Sequence, residues 1–154
     1  MNIRAYKEED LPLIFDIYSQ SKLDELRFEE REFSLLPLDK DSKRLQELLE
    51  SDIYIFYKDG VVHGYGALFC NEIRALFVRR ESRGNGIGKK LLEFLLSNIS
   101  SEACLYVAST NHPAKKLYSR YGFNVTETFM TSYNHLPVLA QQMIRSINTP
   151  LALL

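Results

Sequence analysis

The chain has 154 residues, 45% of them apolar and 25% charged, with a formal net charge of −1 at neutral pH. That length suits a single domain, spanning 1–154, around one core. The near-neutral charge argues against a nucleic acid or an acidic membrane as partner, no apolar run is long enough to cross a bilayer, and the N-terminus does not read as a secretion signal.

Residues 2–6 alternate like an edge strand, and residues 8–19 carry Leu11, Ile14, Phe15 and Tyr18 at helical spacing, a stripe expected to be buried. The charged stretch 21–40 reads as irregular. A second helix is expected over 41–50, with Leu45, Leu48 and Leu49 inward. Residues 53–58 and 61–70 form a hairpin pattern across Asp59-Gly60, a pair that accepts the positive φ angles of a two-residue turn. A strand over 72–79 leads to a glycine-rich loop and then to a helix over 87–99, where Ile87, Leu91, Leu95 and Ile99 repeat every four residues. Residues 103–109 read as a strand, and 125–133 with 138–147 as a closing hairpin around 134–137. Cys70 and Cys104 lie in strand-like runs without metal or redox spacing, so two reduced, buried thiols and no metal site are expected. This alternation predicts an α/β fold: a mixed, mostly antiparallel, twisted sheet with helices on both faces.

The stretch Arg83-Gly84-Asn85-Gly86-Ile87-Gly88 is the most informative. Glycines let a backbone press against a ligand, and the helix that follows aims its free N–H groups and positive dipole end at the loop. Together they make an anion site, with phosphate the usual anion. A dinucleotide fingerprint fits poorly, because the third glycine arrives one residue early. A nucleoside-triphosphate loop fails, because Lys90 stands where magnesium needs a hydroxyl. Arg83, Gly86 and Gly88 do fit the pattern Arg/Gln-x-x-Gly-x-Gly/Ala. At these residues the chain resembles the GNAT-type N-acetyltransferases, whose loop of this form holds the pyrophosphate of acetyl-CoA.

A second landmark follows. In 111–123, Asn111 is placed to cap a helix, Pro113 lies in its first turn, and Gly122 is placed to end it in the left-handed conformation. Ala114, Leu117, Tyr118 and Tyr121 share one face. The stretch is similar to the family's Asn-x-x-Ala-x-x-Leu-Tyr-x-x-x-Gly-Phe, matched at every fixed position. The resemblance implies a GNAT-like fold, acetyl-CoA as co-substrate and transfer to an amine, with Gly84, Asn85, Gly86, Ile87, Gly88 and Lys89 on the pyrophosphate beside Arg83. It also implies that the backbone of Leu76, Phe77 and Val78 pairs with the pantetheine arm, while their side chains pack in the core.

Tyr118 is the candidate acid: a phenol is protonated at neutral pH and can donate to a departing thiolate, although such a tyrosine can also be plain packing. Asn111 either bonds the pantetheine or caps its helix, or does both. Many family members carry a glutamate on the strand after the long helix, but here 104–109 contain no acid. Glu72 is the substitute base, His63 the runner-up because histidine as a residue type suits proton transfer, and a water chain the third route. Covalent catalysis by Cys70 or Cys104 is disfavoured for want of a nearby cation or histidine, which leaves direct attack in a ternary complex. By resemblance, the acceptor groove draws on the segment holding Asp24, Glu25, Phe28, Glu29, Glu30, Glu32 and Phe33. These residues suit a cationic amine with an apolar body, or form merely a solvated charged surface. The acceptor is left as a small-molecule or peptide amine. The apolar end, 149–154, is either disordered or packed on a second subunit, as in a homodimer. A cytoplasmic enzyme is expected; the alternative is a non-catalytic acyl-CoA-binding module.

Overall fold

The computed structural model describes residues 2–150. Most of the apolar end therefore lies outside the described residues. The chain builds β1 (Ile3–Ala5), α1 (Leu11–Ser21), α2 (Ser42–Leu49), β2 (Asp52–Lys58), β3 (Val61–Phe69), β4 (Glu72–Val78), α3 (Ile87–Ser97), β5 (Ala103–Ala108), α4 (His112–Arg120), β6 (Phe123–Tyr133) and β7 (Leu136–Arg145). Its seven strands form one sheet in the order β1-β2-β3-β4-β5-β7-β6. Every neighbouring pair is antiparallel except β4 and β5.

Helices cover both faces, as the alternating pattern predicts. On one face Ile14, Ile17 and Tyr18 of α1 and Leu48 of α2 pack on Ile53, Ile55, Tyr65 and Ala67. On the other, Leu92, Leu95 and Leu96 of α3 pack on Leu68, Ile73, Leu105 and Met143, with Tyr121 and Phe123 closing the end. Turn chemistry follows the expected residues. Asp59 and Gly60 have φ of 54° and 75°, and Gly122 ends α4 at φ 89°. The last hairpin turns tighter than the reading over 134–137, with Asn134 and His135 both at positive φ and Leu136 already in β7.

Three further expectations need correction. The first helix begins as a 3-10 turn at Glu8–Asp10, and Ile17 joins the buried stripe, whereas Leu11 and Phe15 are only half-buried. Leu49 is 47% exposed, because α2 is short and turns only Leu48 fully inward. Cys70 is exposed in the turn between β3 and β4 at φ 55°, and Cys104 is half-buried. Stretch 21–40 is irregular apart from short 3-10 turns, but it is tied down. The Tyr133 hydroxyl accepts from the Leu36 N–H at 2.8 Å, and Asn134 donates to the Ser34 carbonyl at 3.1 Å.

Helix α3 approaches β3 at two glycines. A Cβ on Gly64 would lie 2.7 Å from the Phe77 carbonyl oxygen, and one on Gly66 would lie 3.0 Å from a methyl of Leu95. The obstacle at Gly64 is backbone of the paired strand, which yields only if β3 and β4 part. Gly64→Ala is expected to lower stability by about 1–3 kcal/mol. Denaturant unfolding checks this, and an unchanged midpoint would show that the strands part freely.

One irregularity sets the stage for the site. Ala67 pairs with Ala75 and Leu68 with Ile73, so Arg74 is an extra residue on β4. Such a bulge bends its strand. Beyond it β4 leaves β5: the two pair only at Glu72↔Cys104 and Ile73↔Leu105, whereas β5 pairs with β7 along its whole length. Arg74 is held by Glu50 (2.6 Å), by the Glu47 carbonyl (2.9 Å) and over the Phe69 ring (4.0 Å).

Candidate active site

Where β4 and β5 part, their facing edges lose their strand partners and a continuous hollow opens. It has three parts. A cleft of about 500 Å³ runs from the glycine loop along Leu76, Phe77 and Val78 to Asn111, Ala114, Leu117 and Tyr118. A smaller inner chamber of about 190 Å³ lies between the splayed strands, walled by Tyr18, Tyr65, Phe77, Leu105 and Tyr118. An outer groove of about 500 Å³ opens on the other side, lined by Glu72, Tyr106, Phe129 and Tyr133.

The loop end of the cleft is built from backbone. Gly84 and Gly86 adopt φ of 82° and 76°, and a Cβ on either would meet nothing within 4 Å, so the conformation rather than crowding demands glycine. Gly86 is the N-cap of α3 and, lacking a side chain, supplies no cap bond. The first helical N–H with a partner four residues back is that of Lys90, on the Gly86 carbonyl. The N–H groups of Ile87, Gly88 and Lys89 thus stand without an intrahelical partner at the dipole's positive end. Arg83 pins the loop in place: its guanidinium donates to Asp24 (2.7 Å), Ser21 (3.0 Å) and the Val78 carbonyl (3.1 Å). That last bond occupies one of the β4 carbonyls expected to face a ligand. Gly88 lets α3 sit against β4, its Cβ position 3.6 Å from Val78. Asn85 and Lys89 are exposed and do not line the cleft; the Asn85 side chain bonds the Ser82 carbonyl at 3.0 Å.

At the far end stand Asn111 and Tyr118. Asn111 caps α4 by accepting the Ala114 N–H at 3.5 Å, and it borders both cleft and chamber. Tyr118 also borders both, with its ring edge-on to Phe123 at 5.8 Å and its hydroxyl unbonded among the described residues. Burial, and then the negative charge of Glu25, push its phenol well above the ordinary tyrosine value, so it holds its proton at neutral pH.

The two candidate bases separate. Glu72 lies in the outer groove, 3.5 Å from Arg74, and does not line the chamber. His63 lines none of the three spaces; its Nδ1 is 2.7 Å from the Ser82 hydroxyl and its ring packs on Phe56. Burial, then Glu72 and Glu102, raise the Cys104 thiol, which leaves it a poor nucleophile. Residues the sequence left unassigned also enter the walls: Ser21, Lys22, Arg27, Arg44, Glu47 and Tyr106.

The acetyltransferase (GNAT) domain family model matches residues 50–125, the segment that carries β4, the glycine loop, α3 and the Asn111–Phe123 element. This chain belongs to the GNAT superfamily. An uncharacterized N-acetyltransferase of Schizosaccharomyces pombe is 35% identical over 81 residues, which is 50% of this chain and 47% of that relative. The matched region thus spans about half the length of that relative. Among solved structures, a GCN5-related N-acetyltransferase from Rhodopseudomonas palustris superposes with a TM-score of 0.76 at 18% identity, covering 94% of both chains. The putative acetyltransferase yncA from Salmonella typhimurium, solved with acetyl-CoA, superposes at 0.70 with 20% identity over 99% of this chain and 96% of its own. At such identities the agreement establishes the GNAT fold. No helix among the described residues is long and apolar enough to cross a membrane.

Proposed function

We propose that this chain is an acetyl-CoA-dependent N-acetyltransferase that moves the acetyl group to a primary amine by direct attack. One observation carries the reading: an uncapped helix start opens into a cleft that follows the unpaired edge of β4 to an unbonded phenol. Acetyl-CoA supplies an activated acetyl thioester. The N–H groups of Ile87, Gly88 and Lys89 hold its pyrophosphate, with Gly84 and Gly86 setting the loop's path and Arg83 fixing it. Asn85 and Lys89 flank that end from outside, Lys89 adding positive charge. The backbone of Leu76 and Phe77 takes the pantetheine arm as a further strand, and Val78 takes part only through what Arg83 leaves free. Asn111 bonds the arm's far end. Tyr118 donates its proton to the departing sulfur.

The raised thiol of Cys104, and the place of both cysteines outside the linings of the three spaces, support transfer without an acetyl-enzyme. Three glutamates border the groove through which an amine would arrive: Glu25, Glu47 and Glu72. A location in the cytoplasm, where thiols stay reduced, agrees with both free cysteines.

The test is calorimetry with acetyl-CoA, CoA and ATP, followed by thiol release with a panel of small amines, amino acids and peptides. Binding of both coenzyme forms in about the micromolar range, no heat with ATP, and thiol release with at least one amine are expected. Absence of coenzyme binding would sink the reading. Binding without turnover on any amine would favour an acyl-CoA sensor, a reading prompted by the absence of an acid on β5.

A further inference from the structure

We propose that Glu25 receives the acceptor's ammonium group and takes its proton, an assignment that deepens the N-acetyltransferase reading and rests on it. Glu25 lines the coenzyme cleft, the inner chamber and the outer groove, and among the described residues no other borders all three. An amine entering by the groove must pass this point to reach a thioester carried along the cleft. The carboxylate is one-third exposed, and among the described residues only its Oε2 is engaged, by Lys22 at 3.1 Å. Its charge reaches the surrounding phenols. After burial, it is among the charges that raise Tyr18, Tyr65 and Tyr133, and it is the one named charge acting on Tyr118.

A second observation marks the chamber as a place for a polar ligand. Tyr18 lines it, is 4% exposed, and has a hydroxyl without a partner among the described residues. A buried hydroxyl left without a bond is uncommon in a folded protein, and a polar group of the acceptor beside Glu25 would satisfy it. The chamber holds only about 190 Å³, enough for the reacting head groups, so the body of the acceptor lies in the groove against Phe129 and Tyr133.

Glu25 removes one proton from the ammonium. The freed lone pair forms a bond to the acetyl carbon as the carbon–sulfur bond breaks. Sulfur leaves with the electron pair of the carbon–sulfur bond and takes the proton of Tyr118, and the second proton shed by the nitrogen restores the phenol through water. The proton on Glu25 passes to solvent through the groove, so the net products are an amide, a free thiol and one proton.

Thiol release with the best amine of the panel, run beside calorimetry with acetyl-CoA, tests the assignment. Glu25→Gln is expected to lose at least about 100-fold in kcat/KM with acetyl-CoA affinity held within about threefold. Asp39→Asn, which removes an exposed carboxylate that borders none of the three spaces, is expected to stay within about threefold of wild type. Retention of more than about a tenth of the activity in Glu25→Gln overturns the assignment, and so does an equal loss in Asp39→Asn. Loss of coenzyme binding in Glu25→Gln also overturns it, by making the residue structural. A large loss in Glu72→Gln with little in Glu25→Gln hands the role to Glu72. Wild-type protein that binds acetyl-CoA yet acetylates no amine overturns the transferase reading itself; the other outcomes leave that reading standing.

Discussion

Replacing Tyr118 with phenylalanine is expected to lower kcat by about 100-fold or more, roughly 2.7 kcal/mol of transition-state stabilisation. Acetyl-CoA affinity should hardly move, because the ring, which fills space against Phe123, is retained. The fold should not weaken either. The hydroxyl has no internal hydrogen bond among the described residues, so deleting it leaves no abandoned partner and removes a polar group from a ring packed on an apolar cluster. Steady-state kinetics and a denaturant melt on the same preparation separate these effects. A variant with wild-type kcat would remove Tyr118 from the chemistry. A variant that is slow and also destabilised would show the hydroxyl to be structural.

The second large effect falls on the fold. Leu95 is fully buried in the last turn of α3, within the cluster that joins Leu68, Ile73, Leu105 and Phe123, and its methyls lie against Gly66. Leu95→Ala leaves a hole lined by strands that are themselves held by neighbours, so collapse into it is limited. A loss of about 2–5 kcal/mol is expected, against a total stability of about 5–15 kcal/mol for a domain of ordinary stability. The urea midpoint should fall with an unchanged slope. Acetyl-CoA at about 100 times its dissociation constant should return about 2.7 kcal/mol to wild type and variant alike. A loss under about 1 kcal/mol would mean that α3 shifts to refill the gap.

What could be seen in the sequence was what local chemistry decides. Asp59-Gly60 turns because both residues accept positive φ, Asn111 caps because its carboxamide reaches Ala114, and Gly86 opens α3 because it cannot cap it. These features depend on residues within a few positions of one another. The hollow itself was hidden, because it arises from cross-strand register: nothing within 72–78 announces that Arg74 has no partner opposite. Glu25 was hidden for another reason. It sits among Asp24, Glu29, Glu30 and Glu32, and in a charged stretch each carboxylate looks alike. What singles it out is where the stretch is laid, and that is set by distant ties such as Tyr133 on Leu36 and Thr110 on Glu29. The burial assigned to Cys70 failed on a single turn: one residue past the end of β3, the backbone flips and the thiol faces water.

The additional residue at Arg74 means that the working space is written in the arithmetic of the main chain, one strand being a unit longer than its neighbour over the same reach. Side chains around such an opening are free to drift while the opening persists. Proteins of this shape sharing fewer than a quarter of their residues can therefore keep one coenzyme berth while exchanging the clientele on the opposite bank.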